Sequence, residues 1–107
     1  YLQKFIKTHL DEDLSLVRLA EQVYLNPSYL SRLYKQTTGQ NLSEYIDSAR
    51  SCMAKLLLAN NQLRIHEVAS SVGYDTAASF SRFFRKMTGI SPQEFRESMI
   101  AKQLNSK

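Results

Sequence analysis

Leu30-Ser31-Arg32-Leu33-Tyr34-Lys35-Gln36-Thr37-Thr38-Gly39 and Phe80-Ser81-Arg82-Phe83-Phe84-Arg85-Lys86-Met87-Thr88-Gly89 are two versions of one decapeptide in a single chain. Each residue of the first lies 50 positions before its counterpart in the second. Ser, Arg, Thr and Gly recur identically, and the apolar and basic positions recur in kind. The same register pairs Glu44 with Glu94 and Tyr45 with Phe95. Upstream, Leu16-Val17-Arg18-Leu19-Ala20-Glu21-Gln22-Val23 matches Ile65-His66-Glu67-Val68-Ala69-Ser70-Ser71-Val72 at an offset of 49. The one-residue difference falls between the two blocks, where a turn absorbs an insertion cheaply. The chain therefore holds two copies of one two-element unit.

Both elements read as helices. No stretch alternates polar and apolar residues long enough for a strand, and only three Gly and two Pro interrupt the chain. Leu42, Tyr45, Ile46, Ala49, Met53, Leu56 and Leu57 recur in steps of three and four, which predicts a long helix with one buried stripe. Asn41 stands at its N-cap position with Glu44 three residues on. Asn26-Pro27 pairs a capping side chain with a proline whose missing N–H costs nothing at the first helical position. Ser91-Pro92-Gln93-Glu94 combines cap, proline and capping-box glutamate. Gly39 and Gly89 suit the left-handed residue that closes a helix. The expectation is an all-α fold of seven helices, at about 2–9, 16–23, 27–37, 42–59, 65–72, 77–87 and 92–100. Residues 1–107 form one domain, with helix-turn-helix units over 1–40 and 62–107 joined by a linker helix over 41–61.

Charge and cysteine usage narrow the function. Fourteen Lys and Arg against ten Asp and Glu give a net charge of +4, which suits a polyanionic partner. Cys52 is the single cysteine, so no disulfide can form within the chain and a reducing, cytoplasmic setting is expected. No apolar run is long enough to span a bilayer, so no membrane partner is expected. The abrupt start inside an amphipathic pattern suggests a piece of a longer protein. His9, His66 and Cys52 lack metal-ligand spacing, and no carboxylate pair has a distinctive setting, so neither a metal, a cofactor nor an enzymatic role is expected.

Each repeat has a small residue, Ala20 or Ala69, midway along its first helix, then a short turn and a second helix. Those are the parts of a helix-turn-helix, in which the small residue lets two helices cross closely and the second helix enters the major groove. The second half, Ile65 to Tyr74 with Phe80 to Lys86 and Gly89-Ile90-Ser91-Pro92-Gln93-Glu94-Phe95-Arg96, closely resembles the signature of AraC/XylS-family DNA-binding domains. The first half, with Leu16 to Val23, Asn26 to Arg32 and Thr38-Gly39, looks like its partner. The resemblance covers nearly the whole chain. It implies two recognition helices in successive major-groove segments, transcriptional activation as the usual outcome, double-stranded DNA as partner and RNA polymerase as a further candidate. An effector or receiver domain would lie upstream.

Carried over by position, the family's base contacts fall on Ser28, Ser31 and Arg32 in the first recognition helix and on Ala77, Ala78 and Arg82 in the second. Tyr29, Ser79 and Ser81 lie close enough to join them. Lys35, Arg85 and Lys86 are the expected phosphate contacts. Ala77 and Ala78 offer only apolar contact, for instance to a thymine methyl, which leaves Arg82 as the second helix's main polar reader. Leu30, Leu33, Phe80, Phe83 and Phe84 are expected in the core and Cys52 in or near it, while the Tyr34 hydroxyl could reach a phosphate. The rival reading is a helical protein-interaction module that has lost DNA affinity. Separately, Arg32 and Arg82 could be structural, pairing with a carboxylate across the domain.

Overall fold

The computed structural model describes residues 1–105, with side chains through Lys102. Among the described residues there are seven α-helices and no strand: α1 (Leu2–Thr8), α2 (Leu16–Gln22), α3 (Pro27–Thr38), α4 (Leu42–Leu58), α5 (Ile65–Ser71), α6 (Ala77–Thr88) and α7 (Pro92–Asn105). The expected second unit, 62–107, ends two residues outside the described range. Six helices stop within a residue or so of the expected ends. The seventh continues to Asn105 rather than stopping near residue 100, because neither Gly nor Pro follows Ile100 to end it. The chain divides into two compact units, Tyr1–Arg50 and Ser51–Lys107, and the division falls inside α4.

The starts and stops carry their own chemistry. Asn26 Oδ1 accepts from the backbone N–H groups of Ser28 (2.9 Å) and Tyr29 (3.3 Å) at the head of α3. Thr76 Oγ1 accepts from the Ser79 N–H at 3.0 Å at the head of α6. The closures are near copies. Thr38 Oγ1 donates to Tyr34 O at 2.8 Å and accepts from the Gln40 N–H at 3.2 Å, while Thr88 Oγ1 donates to Phe84 O at 2.8 Å and accepts from the Ile90 N–H at 3.3 Å. Gly39 and Gly89 follow with φ of +78° and +85°. Asn41 Oδ1 accepts the Glu44 N–H at 2.9 Å, and Ser91 Oγ accepts the Glu94 N–H at 3.1 Å, so the helix after each closure is capped alike.

In the first unit Ile6, Leu10, Leu14, Leu19, Ala20, Leu30, Tyr34, Leu42 and Ile46 form the buried set. Arg18 fastens the loop between α1 and α2, donating to the Asp13 carbonyl at 2.8 Å and to Glu12 Oε1 at 2.6 Å. In the second unit the core gathers Ala54, Leu58, Val68, Ala69, Val72, Phe80 and Phe84, with Phe83, Tyr74 and Phe95 packed against it. Arg96 is buried in this unit. Its Nε donates to Leu58 O at 3.0 Å and one terminal nitrogen donates to Asn60 O at 3.3 Å. The guanidinium therefore caps the C-terminal end of α4, where carbonyls lack intrahelical partners and the helix dipole favours a cation.

Four side chains depart from expectation. Tyr34 belongs to the first core, and its hydroxyl accepts from Gln3 Nε2 at 3.1 Å instead of facing a phosphate. Leu33 is 38% exposed, because α3 buries Leu30 and Tyr34, four residues apart, just as α6 buries Phe80 and Phe84. On α4 the buried face passes through Ser51, Ala54 and Leu58, which leaves Cys52 exposed and Leu56 66% exposed. The expected stripe was rotated by a fraction of a turn, since apolar residues surround most of this end of the helix.

Candidate nucleic-acid interface

The outward faces of α3 and α6 hold the residues singled out by the repeat. Four residues (23–26) separate α2 from α3, and five (72–76) separate α5 from α6. Those short turns hold each second helix against the first, with its opposite face outward. On α3, Ser28, Tyr29, Arg32 and Lys35 are exposed and Ser31 is half-buried. On α6, Ala78, Arg82, Arg85 and Lys86 are exposed, while Ala77, Ser79 and Ser81 are half-buried. Each unit thus brings its own candidate set onto one helix, clear of its core.

Two cations test whether this face is merely a solvated surface laced with ion pairs. Arg32 makes no hydrogen bond or ion pair among the described residues. Arg82 has no carboxylate partner either, and reaches only Ser79 Oγ at 3.4 Å. Among the described residues neither arginine pairs with a carboxylate. Arg85 differs, lying 3.2 Å from Glu94 Oε1 with both side chains largely exposed. The Ser91 backbone N–H, with the Ser91 hydroxyl and Arg85 assisting, holds the Glu94 carboxyl below the usual carboxylate range. An exposed pair of this kind is weak and can exchange its partner for a phosphate.

The units differ electrostatically. Tyr1–Arg50 carries six basic and six acidic residues, and Ser51–Lys107 eight basic and four acidic. The whole net charge of +4 therefore resides in the second unit. Gln36 is a further exposed amide one turn beyond Arg32 on α3. Among the described residues no group of three or more His, Cys, Asp or Glu could hold a metal ion. None of their helices is long and apolar enough to cross a membrane.

A family model described as a helix-turn-helix domain matches residues 19–98, three-quarters of the chain and both repeats. The chain belongs to the AraC/XylS family. It is similar to the arabinose operon regulatory protein of Escherichia coli (strain K12), at 39% identity over 94 residues, covering 87% of this chain and 32% of that protein. It spans about a third of the length of the first curated relatives it matches. Among solved structures, the C-terminal domain of AraT, a response regulator from Geobacillus stearothermophilus, superposes with a TM-score of 0.86 at 38% identity. That match covers 91% of this chain and 81% of the other. The DNA-binding domain of AdpA, solved in complex with a target DNA, shares the fold with a TM-score of 0.86 at 24% identity, covering 94% and 91% of the two chains. As an AraC/XylS-type domain the chain is the DNA-binding part of a transcription regulator, and the rival interaction-module reading is not favoured.

Proposed function

We propose that this domain binds double-stranded DNA by seating α3 and α6 in two successive major-groove segments, and that the two helices read unequal amounts of sequence. The observation that carries this reading is the repeated placement of Arg32 and Arg82. Both stand exposed at the same register of matched helices, without a carboxylate partner among the described residues. Arginine is the commonest bidentate reader of guanine, and each good pair discriminates by about 1–3 kcal/mol.

Ser28, Tyr29, Ser31 and Arg32 give α3 four side chains able to hydrogen-bond base edges. On α6, Ala77 and Ala78 supply apolar contact only, so Arg82 reads with Ser79 and Ser81 beside it. Lys35, Arg85 and Lys86 attract the backbone. The half-site under α6 is the more degenerate, held chiefly by phosphates. In the full-length protein this domain serves a cytoplasmic activator, with RNA polymerase and an upstream sensing domain as partners. Arabinose operon regulation by the E. coli relative supports an operon-level role.

The test is a selection of bound duplexes from a random pool, followed by footprinting and by affinities for every single-base variant of the selected site. Two protected major-groove segments, roughly 34 Å apart along B-DNA, are expected. Arg32→Ala should flatten preference at one base pair, and Lys35→Ala should weaken all duplexes alike. Protection of a single segment, or selectivity under α6 equal to that under α3, would overturn the reading.

A further inference from the structure

The two reading arginines sit in different local settings, and the difference lies in what precedes each by three residues. At the head of α6 the side chains of Thr76, Ser79 and Arg82 form a continuous relay. Thr76 Oγ1 donates to Ser79 Oγ at 3.0 Å while accepting the Ser79 backbone N–H at 3.0 Å. Arg82 then donates to Ser79 Oγ at 3.4 Å. A serine hydroxyl has two acceptor positions and one proton. Both acceptor positions are taken within the helix, so Ser79 can offer a base edge nothing but that proton.

In the first unit the same positions are Asn26, Tyr29 and Arg32. Asn26 Oδ1 is occupied by two backbone N–H groups, and the Tyr29 hydroxyl stands at the far end of an exposed ring. Arg32 has no hydrogen bond among the described residues.

We infer that Ser79 is a positioning residue, which through Thr76 holds the Arg82 guanidinium in its reading orientation before DNA arrives. This rests on the reading that α6 enters the groove with Arg82 at the bases, and it assigns Ser79 a role other than base contact. Immobilising a long side chain on binding costs about 0.5–1.5 kcal/mol. A residue held beforehand escapes part of that cost, and its geometry is narrowed to one base edge. The relay compensates for the two alanines of α6 by sharpening its single strong reader.

The experiment uses a duplex selected from a random pool with the unmodified chain, and single-base variants of it. Arg82→Ala first identifies the base pair that Arg82 reads. Ser79→Ala should then lower discrimination at that same pair about 2- to 12-fold, the range that the immobilisation cost converts to. Its unfolding midpoint should not fall, because the backbone N–H of residue 79 keeps its Thr76 cap. Ser79→Thr, which retains a hydroxyl, should restore discrimination. On an Arg82→Ala background, Ser79→Ala should have no further effect.

Persistence of the Ser79→Ala effect on that background, or its appearance at a different base pair, would show that Ser79 touches DNA itself and overturn the inference. So would unchanged discrimination in Ser79→Ala when Arg82→Ala does alter it. If Arg82→Ala leaves every base preference intact, the base-reading role of Arg82 fails first and the relay's function falls with it.

Discussion

The two helix-turn-helix units share their punctuation and differ in their filling. Both place a cap before the second helix, a threonine that bonds back four residues at its end, a left-handed glycine and a freshly capped helix after it. Inside that frame the first unit packs mostly aliphatic side chains. It keeps an apolar groove of about 450 Å3 between α1 and α3, lined by Tyr1, Leu2, Leu25 and Leu33 among others. The second unit packs rings on rings. Phe80 lies 5.8 Å from Phe84, Phe84 meets Phe95 edge-on at 5.5 Å, and Tyr74 lies 5.0 Å from Phe83. The outer faces diverge in the opposite sense, with the hydrogen-bonding variety on the first and the net charge on the second. The backbone-directed residues are the conserved part of this repeat within the chain. Core volume and surface chemistry varied around them.

The aromatic cluster is the place where breaking the comparison should have the largest effect. Phe84→Ala should cost about 3–5 kcal/mol of stability, whereas Leu33→Ala, on the open side of α3, should stay within about 1 kcal/mol. Urea unfolding of both variants decides it. Comparable losses would mean that ring packing does not distinguish the units.

Next comes the buried arginine. Arg96 corresponds by the 50-residue offset to Ile46, which is buried in the first unit without any capping duty. Arg96→Ile would import the first unit's residue but leave the carbonyls of Leu58 and Asn60 without its donors, costing roughly 1–3 kcal/mol. Calorimetry showing an unchanged midpoint would reassign Arg96 to simple packing.

A smaller effect is expected where the first helix of each pair ends. Tyr24 has φ +57° and is 94% exposed, and its counterpart Gly73 has φ +91°. Each N–H is used in the turn, with Tyr24 donating to Glu21 O and Gly73 to Ser70 O. A left-handed conformation costs a residue with a Cβ about 1–2 kcal/mol. Gly73→Ala should therefore destabilise by about that amount. Tyr24→Gly should be neutral or slightly stabilising, because relief of strain is offset by a freer unfolded chain. Thermal melts of the two variants moving together would remove the asymmetry.

The smallest effect concerns one oxygen. Tyr45 has a buried hydroxyl with no hydrogen-bond partner among the described residues, and its counterpart is Phe95. Tyr45→Phe should leave stability unchanged or raise it by up to about 1 kcal/mol, since an unpaired buried hydroxyl is a burden rather than a contact. A measured loss would reveal that the hydroxyl is satisfied in solution.

How far the sequence was legible follows from the range of the forces involved. Asn26-Pro27, Asn41 with Glu44, Ser91 with Glu94, and the two closing glycines act within one turn of themselves, so they could be read directly. Which face of α4 is buried depends on what packs against it. Apolar residues surround the end that holds Cys52 and Leu56, and periodicity could not choose among them. Leu33 and Tyr34 could have been separated, because Tyr34 aligns with Phe84 and the repeat already showed a matched pair four residues apart. The candidate interface was readable as positions. The Thr76–Ser79–Arg82 relay was not, since three small polar contacts leave no pattern distinct from an ordinary helix start.

Arg96 and Arg82 lie fourteen positions apart in one unit, yet ionic strength acts on them differently. Arg96 is buried and bonded to backbone carbonyls, so dissolved ions can neither reach it nor compete for its partners. Any contact that Arg82 makes with DNA competes with counterions that gather on the duplex. Raising the salt concentration should therefore release this domain from DNA while its fold stays intact, so the bound and free states can be exchanged reversibly without denaturation.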